Sequence, residues 1–185
     1  MPPWQFQTVA GWPAAVVAPH CSAHSPEPAF TSRASKRVPP AAAPVHLVVD
    51  GAGIDMAVRP LTPTEDDLAA QSLVPPLTED AYWLTPYGTP GSGSQNTTYI
   101  AGHSWEGRAA PFNRLSDSGL VGRGIELRTA SGTLEYVVDS VTTHDKDTLK
   151  DSDIWRVVPN RLVLISCYTE DPWGKNVVVT AIPAA

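Results

Sequence analysis

Leu162-Val163-Leu164-Ile165-Ser166-Cys167 is an apolar run that ends on a thiol. A second run, Val177-Val178-Val179-Thr180-Ala181, follows it after a connection of Thr169, Glu170, Asp171, Pro172 and Gly174. Short, unbroken apolar runs of this kind read as strands covered on both faces. The residues between them are turn formers. If the two strands pair as a hairpin, Cys167 and Lys175 face each other at one end of a sheet.

Working outward, the same pattern recurs. Thr97-Thr98-Tyr99-Ile100-Ala101 is a further strand that ends at Gly102-His103, and the turn-rich stretch from Pro86 to Ser94 precedes it. Val45 to Val49 and Ile54 to Val58 read as extended segments on either side of a glycine turn, and Ala81 to Leu84 reads as extended. Gly124 to Arg128 and Thr133 to Val138 alternate apolar and polar around Ala130-Ser131-Gly132, which predicts a hairpin. Residues 62–80 predict a loop with at most a helical turn, and Phe112 to Leu115 a short helix. Many short strands with almost no helical periodicity define an all-β barrel or sandwich. Residues 1–44, rich in Pro, Ala and Ser, read as a linker or stalk, leaving 45–185 as the folded domain.

A chain of 185 residues suffices for one domain with a real core. Its net charge of −6 argues against a nucleic-acid binder, which presents a basic face. Two cysteines make neither a disulfide framework nor a metal-type pair. Cys21, set among Pro, Ser and His, reads as an incidental thiol. No segment is long and apolar enough to span a membrane; Val9 to Ala18 is short and broken by Gly11 and Pro13.

The chemistry concentrates at the strand ends. A thiol at the end of one apolar strand and an imidazole at the end of another can form a Cys–His couple that attacks a carbonyl carbon. This points to an acyl-transfer enzyme. Cys167 is the candidate nucleophile. His103, released by Gly102, is the candidate acid to a leaving amine and base to the incoming nucleophile. Lys175 is the candidate cation for a thiolate or an oxyanion. Trp105, Tyr168 and Trp173 flank these residues and are candidates to line a groove for an apolar peptide residue.

From about Val45 to Pro183 the chain resembles a sortase, a cysteine transpeptidase of the Gram-positive cell surface. The family's signatures, T-L-x-G-H and T-L-x-T-C, read here Tyr99-Ile100-Ala101-Gly102-His103 and Val163-Leu164-Ile165-Ser166-Cys167. Trp83, Pro90-Gly91 and Phe112-Asn113-Arg114-Leu115 resemble the class E and F enzymes of actinobacteria. The resemblance implies an eight-stranded β-barrel with short helical turns and the site at one end. It also implies a reaction, in which Cys167 cleaves an LPxTG-like sorting signal and holds the acyl group as a thioester. An amine from a peptidoglycan precursor or a pilin lysine then resolves it, and His103 protonates the departing amine.

The sequence departs from the family at one point. A family arginine that contacts substrate and oxyanion precedes the last strand, and Lys175 stands in that position. Lysine keeps the charge and loses the bidentate fork. Arg161, Arg114 and Arg108 are alternatives by residue type only. No cofactor is expected. Some sortases bind calcium with acids in the loop before the cysteine strand, and Asp145, Asp147, Asp151 and Asp153, beside His144, offer oxygen ligands there. Their spacing matches no EF-hand, and a solvated acidic loop is the reading retained. The family implies an extracytoplasmic, membrane-associated location and an N-terminal anchor that this sequence does not display. Two other functions share these residues, a thiol peptidase that yields to water and a degenerate sortase-fold domain that only binds peptide.

Overall fold

The computed structural model describes residues 37–70, 72 and 74–184. Cys21, Val9 to Ala18 and all but the last residues of the expected stalk lie outside them. Eight strands form in chain order: β1 (Pro44–Val49), β2 (Ile54–Leu61), β3 (Ala81–Leu84), β4 (Thr98–Ala101), β5 (Gly124–Thr129), β6 (Gly132–Asp145), β7 (Leu162–Cys167) and β8 (Lys175–Pro183). One short helix, α1 (Glu65–Ala70), follows β2, and 3-10 segments occur at Pro111–Ser116, Ser118–Leu120, Leu149–Asp151 and Asp153–Trp155. The strands close into a barrel in the order β1-β2-β3-β4-β7-β8-β6-β5, as β5 pairs with β1. Closure gives every strand a partner on both sides over at least part of its length.

The unbroken apolar runs have a direct cause. Alternate residues of β4, β7 and β8 serve two separate cores. Ile100, Leu162, Leu164, Val177 and Val179 fill the barrel interior with Leu47, Ile54 and Leu127. Tyr99, Val163, Ile165 and Val178 point outward and are covered by Ile154, Leu149, Trp155 and Tyr87. The covering segment is pinned by polar contacts. The Tyr99 hydroxyl donates to Ile154 O (2.7 Å), Arg161 donates to Ile154 O and Arg156 O, and Trp155 Nε1 donates to Leu149 O (2.8 Å). An outer core of this kind builds one wall of a groove against the sheet.

Three elements differ from the sequence reading. β6 runs past Val138 to Asp145, because its polar second half pairs with β8 from Ser140↔Thr180 to Asp145↔Lys175. Residues 65–70 form α1, started by a reciprocal cap: Thr64 N–H donates to Asp67 Oδ2 (2.8 Å) and Asp67 N–H donates to Thr64 Oγ1 (3.1 Å). Residues just upstream of Val45 are also bonded to the barrel. Ser92 N–H donates to Pro39 O (2.7 Å) and Ala42 N–H to Pro90 O (3.1 Å). Gly91 permits this close passage, since its φ of +133° suits glycine and a Cβ there would lie 2.5 Å from Ala41 Cα.

Candidate active site

Parallel pairing of β4 with β7 runs from Thr98↔Leu162 to Ala101↔Ile165. Gly102 N–H donates to Ile165 O (3.1 Å), which carries the register one residue further. His103 and Cys167 follow directly on these two strand ends, and both border one groove. Neighbouring strands stand about 4.8 Å apart, so residues far apart in sequence are brought together by register alone.

Hydroxyls lock this junction. Ser166 Oγ lies 2.9 Å from Gly102 O, Ser104 Oγ lies 2.8 Å from Cys167 O, and the two oxygens are 2.7 Å apart, a cluster in which two hydroxyl protons serve three contacts. The residues on either side of His103 are thus tied to Cys167 and the residue before it. Gly102 is closely packed: a Cβ there would sit 3.0 Å from two carbons of the buried Phe112 ring, which would have to give.

His103 Nε2 lies 2.9 Å from Pro75 O. A carbonyl only accepts, so Nε2 carries a proton and Nδ1 is the remaining basic nitrogen. The ring also meets Trp105 edge-on, with centroids 5.9 Å apart. Both His103 and Cys167 are half-buried, and both border a groove of about 750 Å³. Ala101 and Ile165 form its floor, and Leu84, Tyr87, Leu149 and Trp155 its apolar wall. Asp67, on the opposite side, is held below the usual carboxylate range by the hydrogen bonds from Thr64 N–H and its hydroxyl.

The cation beside the thiol is Lys146. Its Nζ lies 3.6 Å from Cys167 Sγ and donates to Pro172 O at 2.7 Å. The expected hairpin of β7 and β8 forms, but the residue opposite Cys167 is Asn176. Lys175 is one residue earlier and so shares the side of Val177, which faces the barrel interior. It does not border the groove, whereas Lys146 and Asn176 do. The alternative arginines are engaged elsewhere. Arg161 holds the Ile154 segment, Arg114 donates to Ala52 O and Gly53 O, and Arg108 pairs with Glu79 at 2.7 Å.

The aromatic expectations are likewise displaced. Trp105 lies in a neighbouring hollow of about 230 Å³ with Arg108, whose guanidinium sits 4.1 Å above its ring. Tyr168 packs toward the barrel core, and the Glu170 carboxylate beside its hydroxyl pushes that phenol up. Trp173 is 85% exposed. The aromatics that border the groove are Tyr87 and Trp155. Of the acidic loop, Asp145, Asp147, Asp151 and Asp153 are exposed, and His144 Nε2 meets Thr142 Oγ1 at 3.0 Å. Among the described residues no three His, Cys, Asp or Glu side chains converge as metal ligands.

A closed barrel presenting a thiol and an imidazole at the exits of two parallel strands defines a class of cysteine-dependent acyl-transfer proteins. The sortase domain family model matches residues 47–184, and the chain belongs to the sortase family. Sortases are, in general, cysteine transpeptidases. Solved structures agree in fold. Streptococcus agalactiae sortase C1, in its complex with MTSET, aligns at TM-score 0.56 and 14% identity over 76% of this chain and 67% of its own. Actinomyces oris sortase C-1 aligns at 0.56 and 19% over 76% and 73%. Listeria monocytogenes sortase A aligns at 0.57 and 17% over 78% and 88%. No curated protein matches the sequence. No helix among the described residues is long and apolar enough to cross a membrane.

Proposed function

We propose that the chain cleaves an LPxTG-like sorting signal through a thioester on Cys167 and passes the acyl group to an amine. The observation that supports this reading is the β4–β7 register, which ends both strands at one apolar groove bordered by His103 and Cys167. In the first half-reaction the Sγ proton passes to His103, Sγ bonds to the threonine carbonyl carbon, the C–N bond to glycine breaks, and His103 hands that proton to the departing amine. In the second, an amine attacks the thioester, His103 takes its proton, and the thiolate leaves. The apolar residue of the signal rests against Leu84, Tyr87 and Trp155, the outer-core side chains that border the groove.

The finer assignments rest on sequence resemblance. They are a relationship to the class E and F enzymes, a peptidoglycan precursor or pilin lysine as acceptor, and action at the cell surface. Peptide products analysed by mass, with and without triglycine, test the reading. An amine-linked product is expected; a free acid alone, unchanged by triglycine, would indicate a thiol peptidase instead.

A further inference from the structure

Attack of a thiolate on a carbonyl creates an oxyanion one bond from sulfur, and that charge needs a cation already in place. The position across the ladder from Cys167 holds Asn176, which is neutral. Lys175 stands on the other side of β8, and Arg108, Arg114 and Arg161 are bonded elsewhere. The ammonium that reaches the sulfur comes from the turn that follows a different strand.

The register explains how. Extending the β6–β8 pairing by one residue sets Lys146 against Gly174, and Lys146 N–H donates to Gly174 O at 2.9 Å. Lys146 therefore emerges on the side shared by His144, Asn176 and Cys167. Pro172 O then clamps Nζ at 2.7 Å, leaving the group aimed at Sγ at 3.6 Å. The polar extension of β6 serves as an arm that carries a positive charge to the nucleophile.

We propose that Lys146 and Asn176 divide between them the work of a single guanidinium. Lys146 supplies the charge that holds the thiolate and the oxyanion, and the Asn176 amide supplies a hydrogen-bond donor to the substrate backbone. As Sγ bonds to the carbonyl carbon, the C=O pair moves onto oxygen beside the Lys146 ammonium. As that pair returns, the C–N bond breaks and His103 protonates the amine. Lys146 keeps its three protons throughout.

The kinetic part of this proposal rests on the transpeptidase reading; the charge at the sulfur does not, and two measurements on the full chain separate them. The first compares alkylation of Cys167 by iodoacetate and by iodoacetamide, with Cys21 resolved by peptide mass. A cation at the sulfur favours the anionic reagent. Lys146→Met should lower the iodoacetate-to-iodoacetamide rate ratio by at least ~5-fold, the scale of a water-screened Coulomb attraction at about 4 Å. Lys146→Arg should restore it, and Asn176→Ala should leave it unchanged. The second follows single-turnover thioester formation with an LPxTG-type peptide. Lys146→Met should lower the acylation rate by ~10²-fold, the usual cost of one oxyanion donor, with the loss in rate rather than in KM, and with a larger loss than Lys175→Met. An unchanged alkylation ratio in Lys146→Met would overturn the proposal whether or not the peptide turns over. So would a greater acylation loss in Lys175→Met. Should no peptide react with the parent, the transpeptidase reading fails while the alkylation ratio still decides where the charge lies.

Discussion

Replacing Ser166 by alanine removes the hydroxyl that joins the two halves of the candidate site. Ser166 is 3% exposed, and its Oγ contacts Gly102 O at 2.9 Å and Ser104 Oγ at 2.7 Å. The substitution leaves the Gly102 carbonyl without that donor and deprives Ser104 of a neighbour. A net hydrogen bond contributes about 1 kcal/mol, and an unsatisfied buried partner costs roughly 1–3 kcal/mol. The expected destabilisation is therefore about 2 kcal/mol, a fall in Tm of roughly 4–8 °C for a domain of this size. Ser104→Ala should cost less, because Ser104 is only half-buried. The two should couple by about 0.5 kcal/mol or more in a double-mutant cycle, since they share one contact. Acylation should fall as well, since a misplacement of about 1 Å at reacting groups costs ~10²-fold. Urea denaturation of the parent, both single variants and the double variant measures the first quantity, and thioester formation the second. Additive losses within about 0.3 kcal/mol, with acylation unaffected, would refute the idea that these hydroxyls hold His103 against Cys167.

Three other outcomes are expected. Gly102→Ala should destabilise the fold by about 1–3 kcal/mol through overpacking, because its Cβ would meet the Phe112 ring at 3.0 Å; an unchanged urea midpoint would contradict that packing. Trp155→Ala removes a groove wall that stacks on Tyr99 at 4.8 Å, and should raise KM for an LPxTG-type peptide by roughly 3–10-fold, in line with the worth of one aromatic contact. Burial pushes the Tyr136 phenol from 10.0 up to about 12. The unfolded chain then releases this proton first, so the stability this group contributes is intact below pH 10 and drains as pH rises toward 12. A spectrophotometric titration should show at least one phenol ionising in step with alkaline unfolding; free titration of every tyrosine near pH 10 in the folded protein would contradict it.

The barrel was legible because its strands carry their burial in their composition. β7 and β8 read as unbroken apolar runs since each side of them meets a core, and β5 and the first half of β6 alternate since only one side does. The second half of β6, Asp139 to Asp145, carries no such signal: Val141 still packs on the barrel core, but the stretch is mostly polar and is held by backbone pairing to β8. That hidden extension is what delivers Lys146, so the cation at the thiol was not readable either. Lys175 drew attention because it is close to Cys167 along the chain, but position within a hairpin does not fix which side of the strand a residue takes. The register pairs Cys167 with Asn176 and turns Lys175 away. Tyr87 and Trp155 were missed for a related reason: they lie in a turn and a 3-10 segment, outside both motifs, and reach the groove through the outer core. Cys167 and His103 stood out because each ends an apolar strand, and the parallel pairing of β4 and β7 brings those two ends together.

The central claim is that Cys167 is acylated by a sorting-signal peptide and released by an amine. Intact mass of the full chain after mixing with an LPxTG-type peptide tests it most directly. The account predicts an acyl adduct on Cys167 that disappears when triglycine is added and is absent from Cys167→Ala. Peptide that binds parent and Cys167→Ala alike, with no adduct on either, would contradict it and leave a domain that recognises peptide without chemistry.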